Sequence, residues 1–163
     1  MKNTIRSIVL LLSALAYAAG LSAAPSKVDM SDLLKTYFAV HRGLAQDDLA
    51  AAQGAADALG KKAALTGAPA EVVAAAGALA EATDLEAARA EFQPLSIALQ
   101  ALLETTGAEG EAVFVARCPM AFDGEAGTWL QDGKKIANPY FGTKMSSCGS
   151  VTGKVDTSTA SGN

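Results

Sequence analysis

The sequence predicts a mainly α protein: an antiparallel four-helix bundle with a small C-terminal, loop-rich cap carrying short strands. Three observations predict it. Residues 31–106 are rich in alanine, with leucine at helical spacing, and short breakers cut the stretch into four pieces. The character changes at residue 111, where the β-prone run Val113-Phe114-Val115 leads into a segment punctuated by glycines 124, 127, 133, 142 and 149 and by Pro119 and Pro139. That segment also holds both cysteines of the chain, Cys118 and Cys148.

The first residues read as a secretory leader. Lys2 and Arg6 give a positive start, Ile8 to Leu15 is apolar apart from Ser13, and Ser22-Ala23-Ala24 fits a small-x-small cleavage site before Pro25. The expected organisation is therefore a signal peptide over 1–24, one domain over 25–155 and a disordered Ser/Thr/Gly-rich tail over 156–163. The expected location is the periplasm. Loss of Lys2 and Arg6 takes the formal charge from −4 to −6. An acidic chain with no basic run is a poor ligand for nucleic acid or an anionic lipid surface, and no membrane contact is expected after the leader is removed.

The helices follow in order. Ser31 is the expected cap of the first, whose Leu33, Tyr37, His41 and Leu44 share one face at the 3.6-residue period. Gly43 and Gln46-Asp47-Asp48 predict a turn, with Asp47 or Asp48 capping a second helix that runs to about Leu65. Its contact face is small (Ala52, Ala55, Ala56, Leu59), which favours close approach. Thr66-Gly67-Ala68-Pro69 breaks the chain, and Pro69 fits the first turn of a third helix carrying Val72, Val73, Ala76 and Leu79. Thr83-Asp84 starts a fourth, with Leu85, Ala88, Phe92, Leu95, Leu99, Leu102 and Leu103. Pro94 inside it is expected to kink or split the helix near Gln93. The cap is expected to hold one or two short strands and to pack on the helices, because so short and loop-rich a segment cannot build its own core.

The chemistry concentrates in the cap. Of four methionines one is the initiator, and two of the other three, Met120 and Met145, lie within three residues of a cysteine. Thiolate and thioether are soft donors that favour Cu(I) over harder cations. The candidate metal ligands are Cys118, Met120, Met145 and Cys148. Two readings of the cysteines stand side by side: an even pair in an oxidising compartment closes a structural disulfide, or two thiolates share one Cu(I). Methionine is also a core gap-filler, but these two lie in polar, glycine-rich surroundings. His41, the single histidine, sits on an apolar helix face and reads as a packing residue. Trp129 and Tyr140-Phe141 read as the residues that pack the cap onto the helices, and Asn138-Pro139 as a turn. Asp47, Asp48, Glu81, Asp84 and Glu86 read as caps and solvated faces.

Cys118-Pro119-Met120-Ala121, Trp129-Leu130-Gln131, Asn138-Pro139-Tyr140-Phe141-Gly142 and Met145-x-x-Cys148-Gly149 together resemble a domain of formally unknown function. That family occurs appended to the periplasmic adaptor (membrane-fusion) proteins of copper and silver efflux pumps and as small stand-alone exported proteins. Asp84 to Arg89 with Phe92, Pro94-Leu95-Ser96 and Leu99, and the Leu44 to Asp48 turn before an Ala-rich helix, are similar to the family's helical part. The resemblance spans roughly residues 33–151. It implies a periplasmic helical domain connected with copper or silver handling, with copper efflux or chaperone proteins as partners. No adaptor hairpin or barrel accompanies it here, so a free-standing binding accessory is expected.

No enzyme is expected. The chain has no Cys-x-x-Cys, no nucleophile elbow, no phosphate loop and no zinc-type spacing. The leading expectation is an exported accessory protein binding Cu(I) or Ag(I), neither required for folding. Its rival is a disulfide-stapled helical protein-interaction module without metal.

Overall fold

The structure, a computed structural model, describes residues 29–107 and 112–155; the expected leader and the tail from 156 lie outside the described residues. Four helices come first: α1 (Met30–Ala45), α2 (Leu49–Thr66), α3 (Ala70–Ala80) and α4 (Leu85–Thr106). Three strands follow, β1 (Val113–Cys118), β2 (Gly127–Gln131) and β3 (Ser150–Val155), with single 3₁₀ turns at Phe122–Gly124 and Gly142–Met145. The sheet is antiparallel with order β2-β1-β3. No described helix is long and apolar enough to cross a membrane.

Each helix start has a chemical cause. Asp29, not Ser31, caps α1, accepting the N–H of Asp32 at 3.2 Å. Both residue types cap well, and Asp29 is the one at the extended position before the first helical residue. Asp48 caps α2 through the Ala51 N–H (2.9 Å) and Asp84 caps α4 through that of Ala87 (2.8 Å). Pro69 stands at the cap position of α3 itself, one residue before its first turn. Gly67 closes α2 in the left-handed conformation, φ +70°.

Pro94 neither splits nor ends α4, which runs unbroken past it. The proline is exposed, while Phe92, Leu95 and Leu99 on the opposite face are fully buried. Burial of these three offsets the roughly 3 kcal/mol that a mid-helix proline costs.

The core is continuous from helices to sheet. Leu33, Leu34, Tyr37 and Leu44 of α1 meet Leu59 of α2, Leu79 of α3, Phe92 and Leu99 of α4, and Trp129 and Leu130 of β2. Small residues let α1 and α2 close up: a Cβ on Gly43 would stand 2.7 Å from the Ala52 nitrogen. Tyr37 stacks on Phe92 at 5.2 Å, and Phe92 in turn touches Tyr140 of the C-terminal segment at 6.0 Å.

A buried hydrogen-bond chain sews the two parts together. The Leu130 N–H donates to the Tyr37 hydroxyl (3.1 Å), Tyr37 donates to Ser96 (2.7 Å), and Ser96 donates to the Phe92 carbonyl (2.8 Å). Each hydroxyl gives once and accepts once, so β2, α1 and α4 are joined without an orphaned polar group. Burial pushes the Tyr37 phenol well above its ordinary value.

The sheet holds a third strand where one or two were expected. β3 was hidden because Ser-Val-Thr-Gly-Lys-Val is an exposed edge strand with little apolar alternation; its pairing with β1 defines it.

Candidate functional site

Strand register builds the thiol pair. β1 is the central strand and ends on Cys118, whose partner in β2 is Gly127. On its other side Arg117 pairs with Ser150, the first residue of β3. The chain just before β3 must therefore pass the end of β1, and Cys148 lies there. The two sulfurs are 2.8 Å apart, with Cys118 fully buried and Cys148 half-buried. That is longer than the ~2.05 Å of a disulfide bond and closer than two unbonded sulfurs ordinarily rest. The juxtaposition required by both readings of the cysteines is thus present, as two free thiols.

Two neighbours hold Cys148 in place. Gly149 has φ +121°, and a Cβ there would stand 2.8 Å from the Arg117 carbonyl oxygen and 3.0 Å from the Trp129 ring. Only glycine lets the backbone come so close at this φ. Asn138 is fully buried and spends every polar group on the same turn. Its amide donates to the Cys148 carbonyl (2.8 Å), its Oδ1 accepts the N–H groups of Tyr140 (2.8 Å) and Phe141 (3.0 Å), and its own N–H donates to the Ser146 carbonyl (2.9 Å). Asn138-Pro139 does set a turn, and that turn positions the cysteine. The Cys148 N–H completes it by donating to the Met145 carbonyl at 3.0 Å.

The hydrogen bond with Cys118, and then burial, push the Cys148 thiol above the ordinary thiol range. Neither methionine is a core filler in the helical layer. Met120 lies 57% exposed in the turn that follows β1, and Met145 is half-buried at the end of the 142–145 turn. Among the described residues no three His, Cys, Asp or Glu side chains gather around a common point. A cation at this site would depend on the two thiols and on thioethers.

The aromatic residues pack as expected. Trp129 is fully buried, donates to Gln131 Oε1 at 3.0 Å and meets Tyr140 edge-on at 5.8 Å. The Tyr140 hydroxyl lies 2.5 Å from both Gln93 Oε1 and the Thr128 carbonyl, so the aromatic wall behind the thiols is bonded to α4. His41 is a packing residue as well. Its ring is buried, stacks on Phe92 at 6.4 Å, and donates from Nε2 to the Ala137 carbonyl at 2.7 Å. Burial lowers its pKa.

One positioning group was missed. Asp47 reads from the sequence as a cap or solvated carboxylate. Instead it takes φ +59° and pairs with Arg89, which also donates to the Pro139 carbonyl (2.9 Å) and the Leu44 carbonyl (3.2 Å). These partners are more than 40 residues apart, and no local signal links them.

No curated protein and no solved structure matches the chain. The match to a family model ends just before β1, so the motif string around the two cysteines falls outside it. Residues 33–111, the helical part that carries Arg89 and Phe92, match the model of the family described as Protein of unknown function (DUF3347).

Proposed function

We propose that the protein is an exported, periplasmic accessory that binds Cu(I) or Ag(I) at the Cys118–Cys148 pair and serves copper handling or efflux. One observation carries this reading: two thiols converge at 2.8 Å on the rim of the sheet, with Met120 and Met145 on the turns that flank them. The donor set is all sulfur, which suits a soft d¹⁰ cation and offers little to Zn(II) or Ni(II). Cys148 is the reachable ligand and Cys118 the anchored one. Met120 and Met145 are the thioethers within chain reach. The resemblance to domains appended to copper and silver efflux adaptors points the same way, and copper efflux or chaperone proteins are the proposed partners. We take the helices to form an antiparallel bundle, because connections of a few residues join helices that pack in sequence order.

The sulfur separation also favours a second reading, a disulfide staple in a metal-free interaction module. Closing 29 intervening residues would contribute roughly 3–4 kcal/mol by loop entropy. Thiol titration beside metal analysis, on protein from the periplasm of cells grown with and without copper, separates the two. Bound copper with two titratable thiols after its removal supports the first. Metal-free protein with no free thiol under both conditions supports the second. In a competition with a Cu(I) chelator, Met120→Leu with Met145→Leu is expected to weaken binding with folding nearly unchanged, and Cys118→Ser with Cys148→Ser to weaken it further. Equal affinity in all three proteins leaves the metal reading without a site.

A further inference from the structure

The outward face of α4 is apolar and has no partner among the described residues. Pro94, Ile97 and Ala101 stand on it at helical spacing, all exposed, Ile97 by 56%. A groove of about 500 Å³ runs between this face and the start of α3, lined also by Pro69, Leu102 and Glu71. Two depressions adjoin it on the same helix. One shares Ile97 and Ala101 and reaches Glu104; the other shares Pro94 and reaches Phe122 and Glu125. From Ala90 to Thr105 the track is about 22 Å long at ~1.5 Å per residue.

The charged side chains that line it have one sign: Glu71, Glu104 and Glu125. The one cation of α4 is Arg89. Arg89 is turned away to Asp47, Leu44 and Pro139. Among the described residues none of Glu71, Glu104 and Glu125 belongs to an ion pair.

We propose that this track docks an amphipathic helix of a partner protein, one that carries Lys or Arg beside its apolar stripe. About four turns of helix match its length, and anchors at i, i+3, i+4 and i+7 match its spacing. A second copy docked face to face would set acidic rim against acidic rim, so charge selects a basic partner. The centre of the surface, Ile97 and Ala101, shares no residue with the thiol site and stands or falls apart from it.

The test uses a synthetic Leu/Lys peptide of about 18 residues, with leucines on one helical stripe, and two control peptides. One control disperses the leucines around the helix at equal charge; the other replaces Lys by Glu. By fluorescence anisotropy near 0.15 M salt, where distant charges are screened, the protein is expected to bind the striped Leu/Lys peptide about tenfold or more tightly than either control. Ile97→Gln with Ala101→Gln is expected to abolish that preference. Glu71→Gln with Glu104→Gln is expected to weaken binding and flatten its salt dependence. The striped peptide is expected to slow hydrogen exchange in residues 94–105. Equal binding of the dispersed peptide, unchanged affinity in the Ile97/Ala101 variant, or protection of another helix overturns the proposal. Dimerisation of the free protein that Ile97→Gln abolishes overturns it in favour of a second copy. Should the Ile97/Ala101 variant lose its helical circular dichroism, the exchange pattern of the unmodified protein decides.

Discussion

Arg89 of α4 and Asp47 of the α1–α2 turn form an ion pair that fastens three parts of the chain at one point. The guanidinium also holds the carbonyl of Leu44, at the end of α1, and of Pro139, in the C-terminal segment. The carboxylate takes the N–H (3.1 Å) and the hydroxyl of Thr143. Gly142, at φ +56°, passes so close to Asp47 and Arg89 that a Cβ would overlap both. The turn that leads to Cys148 is therefore moored to the helices by a charged pair.

That mooring is expected to fail in acid. The Thr143 hydroxyl, then the Thr143 N–H, then Arg89 hold the Asp47 carboxyl below its usual range. A depressed folded-state pKa contributes stability that is complete above the unfolded value, about 3.9, and is lost as pH falls through the lower folded value. Asp47→Asn is therefore expected to show a shallower loss of stability below about pH 5. Asp84 is depressed too, by the Ala87 N–H first, and its slope is common to both proteins. Arg89→Ala is expected to cost about 2 kcal/mol at neutral pH, since two carbonyls lose a donor; partial exposure of the pair keeps it from costing more. Urea unfolding from pH 7 to 2 measures both. Parallel pH profiles in wild type and Asp47→Asn would remove the assignment.

The Tyr37 hydroxyl is the middle of a one-way chain from Leu130 N–H to the Phe92 carbonyl. Tyr37→Phe leaves a buried N–H of β2 without an acceptor and is expected to cost about 2 kcal/mol. Ser96→Ala is expected to cost less, because Tyr37 still accepts from Leu130. The double variant is expected to be less destabilised than the sum of the two singles, since they share one bond. Thermal unfolding of the four proteins tests it, and strict additivity would mean the chain is not coupled.

The helices were legible because their causes are local. Apolar residues at the 3.6-residue period and the Asp48 and Asp84 caps are written into neighbouring positions. At the first helix Ser31 was the expected cap, and Asp29, a capping residue type two positions earlier, takes that place. At Pro94 the local rule allowed a split that does not occur, because it is blind to Phe92, Leu95 and Leu99 packing behind the proline. The cysteines and methionines drew notice by scarcity. That the two sulfurs meet follows from the register of β1 with β3, and β3 has no signature of its own. The roles of Asp47 and Arg89 depend on contacts between segments more than 40 residues apart, which composition and period do not encode.

His41 gives a second pH signal, separable because it is the single histidine of the chain. Burial lowers its pKa against the opposing effect of the Ala137 carbonyl. The unfolded chain then binds the proton more readily than the folded one. Stability from this group is complete above the unfolded value, about 6.5, and falls as pH drops from there toward the folded value. The lone imidazole is expected to titrate below about 6.5 by NMR, and stability to decline between pH 7 and 5, above the carboxylate range. A folded-state value at or above 6.5 would contradict the buried, carbonyl-bonded ring.

Gly149→Ala tests how the thiols are brought together. The new methyl would meet the Arg117 carbonyl oxygen at 2.8 Å and the Trp129 ring at 3.0 Å, at a φ of +121° that side chains rarely adopt. Arg117 is in the central strand and Trp129 is fully buried, so neither can move aside cheaply. The start of β3 must then shift outward, taking Cys148 with it. The expected cost is about 2–3 kcal/mol. The expected chemical effect is on ring closure: under a mild oxidant the reduced wild type forms an intramolecular Cys118–Cys148 bond, while Gly149→Ala closes more slowly and gives more intermolecular product. Gly133→Ala is the control. It lies in the same segment, yet a Cβ there meets nothing within 4 Å, so stability and closure are expected to stay at wild-type levels. Gel-shift alkylation over the oxidation time course reads closure, and urea unfolding of the reduced proteins reads stability. If Gly149→Ala closes as fast as Gly133→Ala, glycine at this position is not what lets Cys148 reach Cys118.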